Sequence, residues 1–193
     1  MLRKLVYPKV EPILNKAAKL CAEKNFTPNQ LTLAGAALNL FAGWIYASGV
    51  FFVAGLIVLI GSLGDLLDGP LARLTGKTSR FGTFLDSTVD RYSDFFLFGG
   101  IAYYFASEGS WGWLLVTLGI ILGTFITSYT KARAESLMPN FSVGFLERAE
   151  RIIILAVGSL IPPLFHLSLV ILLFGTHATA IQRIWYAKKN LSS

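Results

Sequence analysis

Four aspartates are the residues of this chain most able to do chemistry. Asp65, Asp68, Asp86 and Asp90 stand in the stretch DLLDGPLARLTGKTSRFGTFLDSTVD. The first pair is spaced i, i+3 and the second i, i+4, so on helices each pair shares one face, a turn apart. The chain around them is 54% hydrophobic, with a mean hydropathy of +0.60. Ionisable groups at membrane depth are costly and belong in a bundle interior or a wet cavity. Carboxylates held together repel one another, and a divalent cation removes that penalty. Oxygen ligands without His or Cys suit Mg2+ or Mn2+, and Mg2+ commonly bridges protein carboxylates to substrate phosphates. The neighbours point the same way. Gly69 lets a backbone approach closely, Arg73 one turn on can clamp phosphate oxygens, and Thr78, Ser79 and Arg80 add donors. The chemistry expected is a metal-assisted displacement at phosphorus, with the protein supplying position, charge neutralisation and one base.

The elements that must hold these groups are helices. Apolar runs long enough to cross a bilayer recur along nearly all 193 residues, and they are continuous, which argues against a β-barrel. No room remains for a large extramembrane domain. Residues 1–26 place Val10, Ile13, Leu14, Ala17, Ala18 and Cys21 at helical spacing, with lysines mostly opposite. This pattern predicts an amphipathic helix in the interface plane. Thr27-Pro28 then starts a helix, Thr as cap and Pro in the first turn. Six spans follow, at about 29–48, 51–74, 82–106, 112–136, 147–163 and 164–187, with a basic loop at 75–81 and a loop containing Pro139, Asn140 and Gly144 at 137–147. The expected fold is therefore all-α: one domain over 1–193, an interfacial helix over 1–26 and a six-helix membrane bundle over 27–189. Gly35, Gly43, Gly55, Gly61 and Gly64 are expected at close helix contacts.

Charge sets the orientation. All 17 Lys and Arg fall before span one, around the second and fourth loops, or in the tail. The positive-inside rule then puts both termini and the Asp-rich end in the cytoplasm, for a protein of the cell's inner (plasma) membrane. The net charge of +6 is distributed along apolar segments, so anionic head groups and phosphates are the expected partners, not nucleic acid. Cys21 is the only cysteine and excludes an intrachain disulfide. The first 27 residues lack the continuous apolar core of a cleavable signal peptide. The four tryptophans near span ends are ordinary interfacial aromatics.

The arrangement D-x2-D-G-x2-A-R-x8-G-x3-D-x3-D is met by Asp65, Asp68, Gly69, Ala72, Arg73, Gly82, Asp86 and Asp90. It resembles the signature of the CDP-alcohol phosphotransferases, and chain length, six spans and the preceding interfacial helix resemble that family too. The resemblance implies transfer of a phosphatidyl-type group from a CDP-linked lipid to an alcohol, with release of CMP. It implies metal binding by Asp65, Asp68, Asp86 and Asp90, with Asp90 also the general base. It implies that Asn29, Thr32, Gly69, Arg73 and Ser79 hold the CDP-lipid, and that the protein is a homodimer. From the residues alone, Asn29 and Thr32 read only as local capping or hydrogen-bonding groups.

A second polar group, YTKARAES and VGFLERAER, spans residues 129–151. Lys131, Arg133, Arg148 and Arg151 converge on the Asp-rich end, which suggests an anionic acceptor with a phosphate. The KARAE and ERAER strings are similar to those of phosphatidylinositol-phosphate and archaetidylinositol-phosphate synthases. That similarity implies inositol 1-phosphate as acceptor, its phosphate gripped by Lys131, Arg133 and Arg183. Glycerol 3-phosphate, as in phosphatidylglycerophosphate synthases, is the second choice. The plain alternative is that these cations pair with Glu135, Glu147 and Glu150. A cation transporter using the aspartates would need polar residues continuing past Asp65, and spans one to three have almost none. An aspartate-rich prenyltransferase would have different Asp spacing, and a non-catalytic relative would not be expected to keep all four aspartates. Asp94 is expected in a structural ion pair with Arg91 or Arg73. His166 is expected at the interface, and His177 as a hydrogen-bonded core residue.

Overall fold

The computed structural model describes residues 2–138, 141 and 143–191, with side chains from residue 11 onward. Among these the chain is helical throughout: α1 (Leu2–Glu23), α2 (Pro28–Ala47), α3 (Phe51–Leu74), α4 (Arg80–Ser107), α5 (Trp111–Leu137), α6 (Arg148–Leu160), a 3-10 turn (Pro162–Leu164) and α7 (Phe165–Leu191). The helix ends follow local chemistry. Thr27 and Gln30 form the capping box that opens α2: Gln30 N–H donates to Thr27 Oγ1 at 3.4 Å, and Thr27 N–H to Gln30 Oε1 at 2.9 Å. Ser79 caps α4 by accepting from Gly82 N–H at 2.9 Å. Pro139 and Asn140 of the expected α5–α6 loop lie outside the described residues.

Three helical stretches are long and apolar enough to cross a membrane: Phe51–Leu74, Trp111–Leu137 and Pro162–Leu191. Two of the others fall short for identifiable reasons. α4 carries Asp86, Asp90, Arg91 and Asp94. α6 has 13 residues, about 20 Å at helical rise, against a hydrocarbon core of about 30 Å. The outer surface carries exposed Leu33, Phe41, Phe52, Leu56, Ile60 and Leu63, among many other large apolar side chains. Such a surface suits lipid and not water, so this is an integral membrane protein. On α1, Leu14 and Ala18 are buried and the helix packs on α3, while Ile13 and Leu20 are exposed.

α2 packs on both α3 and α4, α6 packs on α3 and α7, and α5 lies against α4 and α7. All five glycines expected at close contacts are there: a methyl on any of them would press on a neighbouring helix. The tightest approach joins α2 to α4, where a Cβ on Gly100 would collide with the Gly43 carbonyl and one on Gly43 with the Phe96 carbonyl. Gly100→Ala should therefore cost about 1–3 kcal/mol, seen as a lower melting temperature in detergent, because backbone cannot yield as a side chain can. The apolar core runs from Tyr46 and Val58 through Leu97, Phe98 and Ile101 to Leu155, Leu169 and Leu172. Tyr46 and Ser159 satisfy each other inside it at 2.6 Å. His166 sits on the Trp113 ring at 4.4 Å between centroids, and His177 Nε2 is 3.1 Å from the Gly119 carbonyl oxygen. The core thus closes the end of the bundle opposite the aspartates.

Candidate active site

Asp65 and Asp68 lie on the last turns of α3. Asp86, Asp90 and Asp94 form a stripe at i, i+4 and i+8 along α4. Arg148, in the first turn of α6, joins them. Its Nη1 lies 2.6 Å from Asp65 Oδ2 and 2.7 Å from Asp90 Oδ1, and its Nε is 3.4 Å from Asp94 Oδ1. Arg151, one turn on, donates from Nη2 to Asp94 Oδ2 at 2.8 Å. Asp94 is in a structural ion pair, but with Arg148 and Arg151 in place of the expected Arg91 or Arg73; Arg91 Nη1 stands instead 3.5 Å from Asp90 Oδ2. Cations at a helix N-terminus oppose the macrodipole. The carboxylates of α3 and α4 offset that cost here.

The remaining oxygens are oriented by α2. The Thr32 hydroxyl donates to Asp68 Oδ2 at 2.7 Å. Asp65 Oδ1 lies against Gly35, where a Cβ would come within 3.0 Å of it. Arg73 Nη1 lies 3.6 Å from where a Cβ on Gly69 would be, which is the one-turn relation expected of that pair. Gly82 would, with a methyl, meet Ser79 Oγ at 3.1 Å and Asn29 Oδ1 at 3.6 Å, so the starts of α2 and α4 come together. Asn29, Thr32, Asp68 and Ser79 therefore belong to one end of the bundle. A groove of about 390 Å³, lined by Glu11, Asn15, Ala18, Pro70, Arg73 and Leu74, runs beside it between α1 and α3.

The donor set can be tested against a divalent ion. Among the described residues no three carboxylates stand close enough to chelate one ion. Two do share a point: Asp65 and Asp90 hold the Arg148 nitrogen between them. That position already takes a positive charge on hard oxygen donors, the chemistry that suits Mg2+ or Mn2+. Asp90 Oδ1 is buried and within ion-pair distance of Arg148, at an angle that makes no hydrogen bond, and Arg148 Nη2 is likewise without one. Asp68 and Asp86 lie one turn away from Asp65 and Asp90 on their respective helices. The residues fit such an ion, which Asp65 and Asp90 would hold, with Asp68 and Asp86 alongside.

The cations expected at the acceptor separate into two groups. Lys131 Nζ lies 3.9 Å from Glu147 Oε1, and Arg183 Nη2 lies 3.7 Å from the same oxygen. Lys131 and Arg183 are thus brought to one point. Arg133 is not: it is exposed, and two residues after Lys131 it lies roughly 200° round α5.

A family model described as CDP-alcohol phosphatidyltransferase matches residues 25–182. The chain belongs to the CDP-alcohol phosphatidyltransferase family. Among its relatives, the archaetidylinositol phosphate synthase of Pyrococcus horikoshii is 38% identical over 96% of both chains. The phosphatidylinositol phosphate synthase of Streptomyces avermitilis is 35% identical over 89% of this chain and 76% of that one. The crystal structure of Mycobacterium tuberculosis phosphatidylinositol phosphate synthase with CDP-DAG bound superposes with a TM-score of 0.83 at 29% identity, over 92% of this chain and 94% of that one. The same enzyme in complex with manganese and citrate gives a TM-score of 0.81 at 29% identity, over 89% and 87%. The CDP-alcohol phosphatidyltransferases are transferases, and this membrane protein is one of them.

In this phosphatidyltransferase, sequence reasoning placed Arg148 and Arg151 among the acceptor cations and missed their seat in the acidic nest. The plain alternative of glutamate partners is seen for Lys131, 3.9 Å from both Glu135 and Glu147, and for Arg183, 3.7 Å from Glu147. The i, i+3 spacing of Arg148 and Arg151 on an otherwise apolar helix, beside a carboxylate ladder extended by Asp94, was the available signal. Thr32 is testable directly. Thr32→Val removes a hydrogen bond to a carboxylate, worth about 1.5 kcal/mol or more, and should lower kcat/KM for the CDP-lipid roughly tenfold. Thr32→Ser should restore it in the same CMP-release assay.

Proposed function

We propose that this enzyme transfers the phosphatidyl-type group of a CDP-linked lipid to inositol 1-phosphate and releases CMP. The reaction takes place at the cytoplasmic end of a six-span bundle in the inner membrane. The observation that carries this reading is a juxtaposition. Glu147 Oε1 marks a point shared by Lys131 and Arg183, and the very next residue, Arg148, marks the point shared by Asp65 and Asp90. Glu147 and Arg148 are consecutive at the start of α6, so one short segment reaches both points, which supports an acceptor-phosphate site beside the acidic nest. The relatives named for phosphatidylinositol phosphate or archaetidylinositol phosphate synthesis support the inositol acceptor. The placement of all 17 Lys and Arg supports the orientation.

Arg73, Ser79, Asn29, Thr32 and the close approach at Gly69 hold the cytidine diphosphate part of the donor. Lys131 and Arg183 hold the phosphate of the acceptor and present its free hydroxyl towards α4. Asp90 accepts the hydroxyl proton as the acceptor oxygen bonds to the lipid-side phosphorus and the bond to CMP breaks. Asp65, Asp68, Asp86 and Asp90 would hold divalent metal, Mg2+ or Mn2+, which would neutralise the pyrophosphate charge. The positioning residues convert an encounter of two anions into an oriented displacement.

The test is a competition among inositol 1-phosphate, glycerol 3-phosphate, serine and inositol for one CDP-lipid, with product masses determined. Inositol 1-phosphate should dominate, and EDTA should abolish CMP release until Mg2+ or Mn2+ is restored. A product mass matching glycerol 3-phosphate transfer would replace the acceptor. Full turnover in EDTA would remove the metal.

A further inference from the structure

Glu147 occupies the point that Lys131 and Arg183 share. Its Oε1 lies 3.9 Å from Lys131 Nζ and 3.7 Å from Arg183 Nη2, outside hydrogen-bond range, so these are loose ion pairs; Lys131 Nζ is also 3.9 Å from Glu135 Oε1, on its own helix and more exposed, and only Glu147 is shared with Arg183. The Arg183 side of the point is rigid. Arg183 is 2% exposed, donating from Nε to the Val143 carbonyl at 2.7 Å and from Nη1 to the Thr127 carbonyl at 2.6 Å. Two of its three nitrogens are committed to backbone, and Nη2 is aimed at Glu147. Gly144 makes room for this, at a φ of 140° and with only 2.5 Å between a would-be Cβ and Arg183 Nη2. Lys131 follows Thr127 by one helical turn, so both cations lie on the same side of α5.

Glu147 itself is held by little else. It is the N-cap residue of α6, yet its side chain makes no cap hydrogen bond. The helix uses its carbonyl, which accepts from Arg151 N–H at 3.1 Å. Its side chain is 29% exposed, the most open member of the group apart from Lys131.

We propose that Glu147 is a resident anion on the acceptor-phosphate site, displaced when the acceptor binds, and that it sets the requirement for a phosphorylated alcohol. This rests on the acceptor reading above. A phosphate monoester carries about −1.5 to −2 charge and three acceptor oxygens, so it outbids a single carboxylate for two cations. A neutral polyol or an amino acid carries too little charge to do so. The chain's own carboxylate thus penalises the wrong alcohol without contacting it.

The experiment is calorimetry on the full-length protein in nanodiscs without CDP-lipid, with inositol 1-phosphate and inorganic phosphate as separate probes. Glu147→Gln should tighten both by about tenfold, since the two loose ion pairs cease to compete. Glu147→Ala should give the same gain, and Lys131→Gln in the Glu147→Gln background should abolish it. Unchanged or weaker phosphate binding in both Glu147 variants overturns the proposal, as does a gain that survives Lys131→Gln. No phosphate binding to any of the proteins overturns it too. If inorganic phosphate tightens but inositol 1-phosphate binds none of them, the proposal stands and the inositol reading falls. If inositol 1-phosphate binds wild type and the Glu147 variants alike, the inositol reading stands and the proposal falls.

Discussion

Replacing Asp90 with asparagine should lower CMP release by roughly a thousandfold, the scale of a lost general base, while CDP-lipid binding persists. The reason lies in how Asp90 is held. One oxygen, Oδ1, is buried without a hydrogen bond, and the other faces Arg91 Nη1 at 3.5 Å. Oδ1 is also 2.7 Å from Arg148 Nη1, an ion pair and not a hydrogen bond, and a carboxylate held there only by an ion pair can still take a proton, which an amide of the same shape cannot. The substitution should leave the fold in place, because Arg148 keeps Asp65 at 2.6 Å and Asp94 at 3.4 Å. Turnover is read as CMP release under saturating inositol 1-phosphate, and donor binding by displacement of a labelled CDP-lipid. Activity within tenfold of wild type would remove Asp90 as base. Loss of donor binding in parallel with turnover would reassign it to holding the pyrophosphate.

How much of this was legible in the sequence depended on how far apart the partners lie along the chain. The Asp pairs and the start of α2 are local features: helical spacing puts each pair on one face, and Thr27-Pro28 with Gln30 writes its own cap. The α3 bounds, Phe51–Leu74, coincide with the apolar run that predicted them. The six expected spans are harder, because α2, α4 and α6 turn polar groups inward and lose apolar character in doing so. Thr32 and Asn39 are buried on α2, Ser93 and Asp94 on α4, and Glu150 and Arg151 on α6. Hydropathy sees that polarity without seeing which way it faces. The pairing of Arg148 with Asp65, 83 residues away, was out of reach for another reason. Arg148 and Arg151 had acidic neighbours close in sequence, Glu147 and Glu150, and nothing in the sequence ranks a near partner below a distant one. For Glu147 the role was legible and the partners were not. Its expected role was to neutralise cations, and it does so, but on two helices that converge only in the folded bundle.

Arg148→Met should destabilise the protein by about 3–5 kcal/mol, the cost of leaving buried charge without its partner. Methionine fills much of the same length but leaves Asp65 and Asp90 facing each other and strips Asp94 of one of its two cations. For a chain of this size the melting temperature in detergent should fall by roughly 10 °C. The same change should make the acidic nest a better ion site, because the resident guanidinium no longer competes for Asp65 and Asp90. Excess Mn2+ should therefore raise the melting temperature of the variant more than that of wild type, since a ligand that binds only the folded state stabilises it by mass action. A variant as stable as wild type without added metal would mean that Arg148 does not neutralise the nest. An equal response to Mn2+ in the two proteins would place the ion elsewhere. A loss of stability that Mn2+ reverses would tie the carboxylates of α3 and α4 to one cation site, filled by a side chain or by an ion.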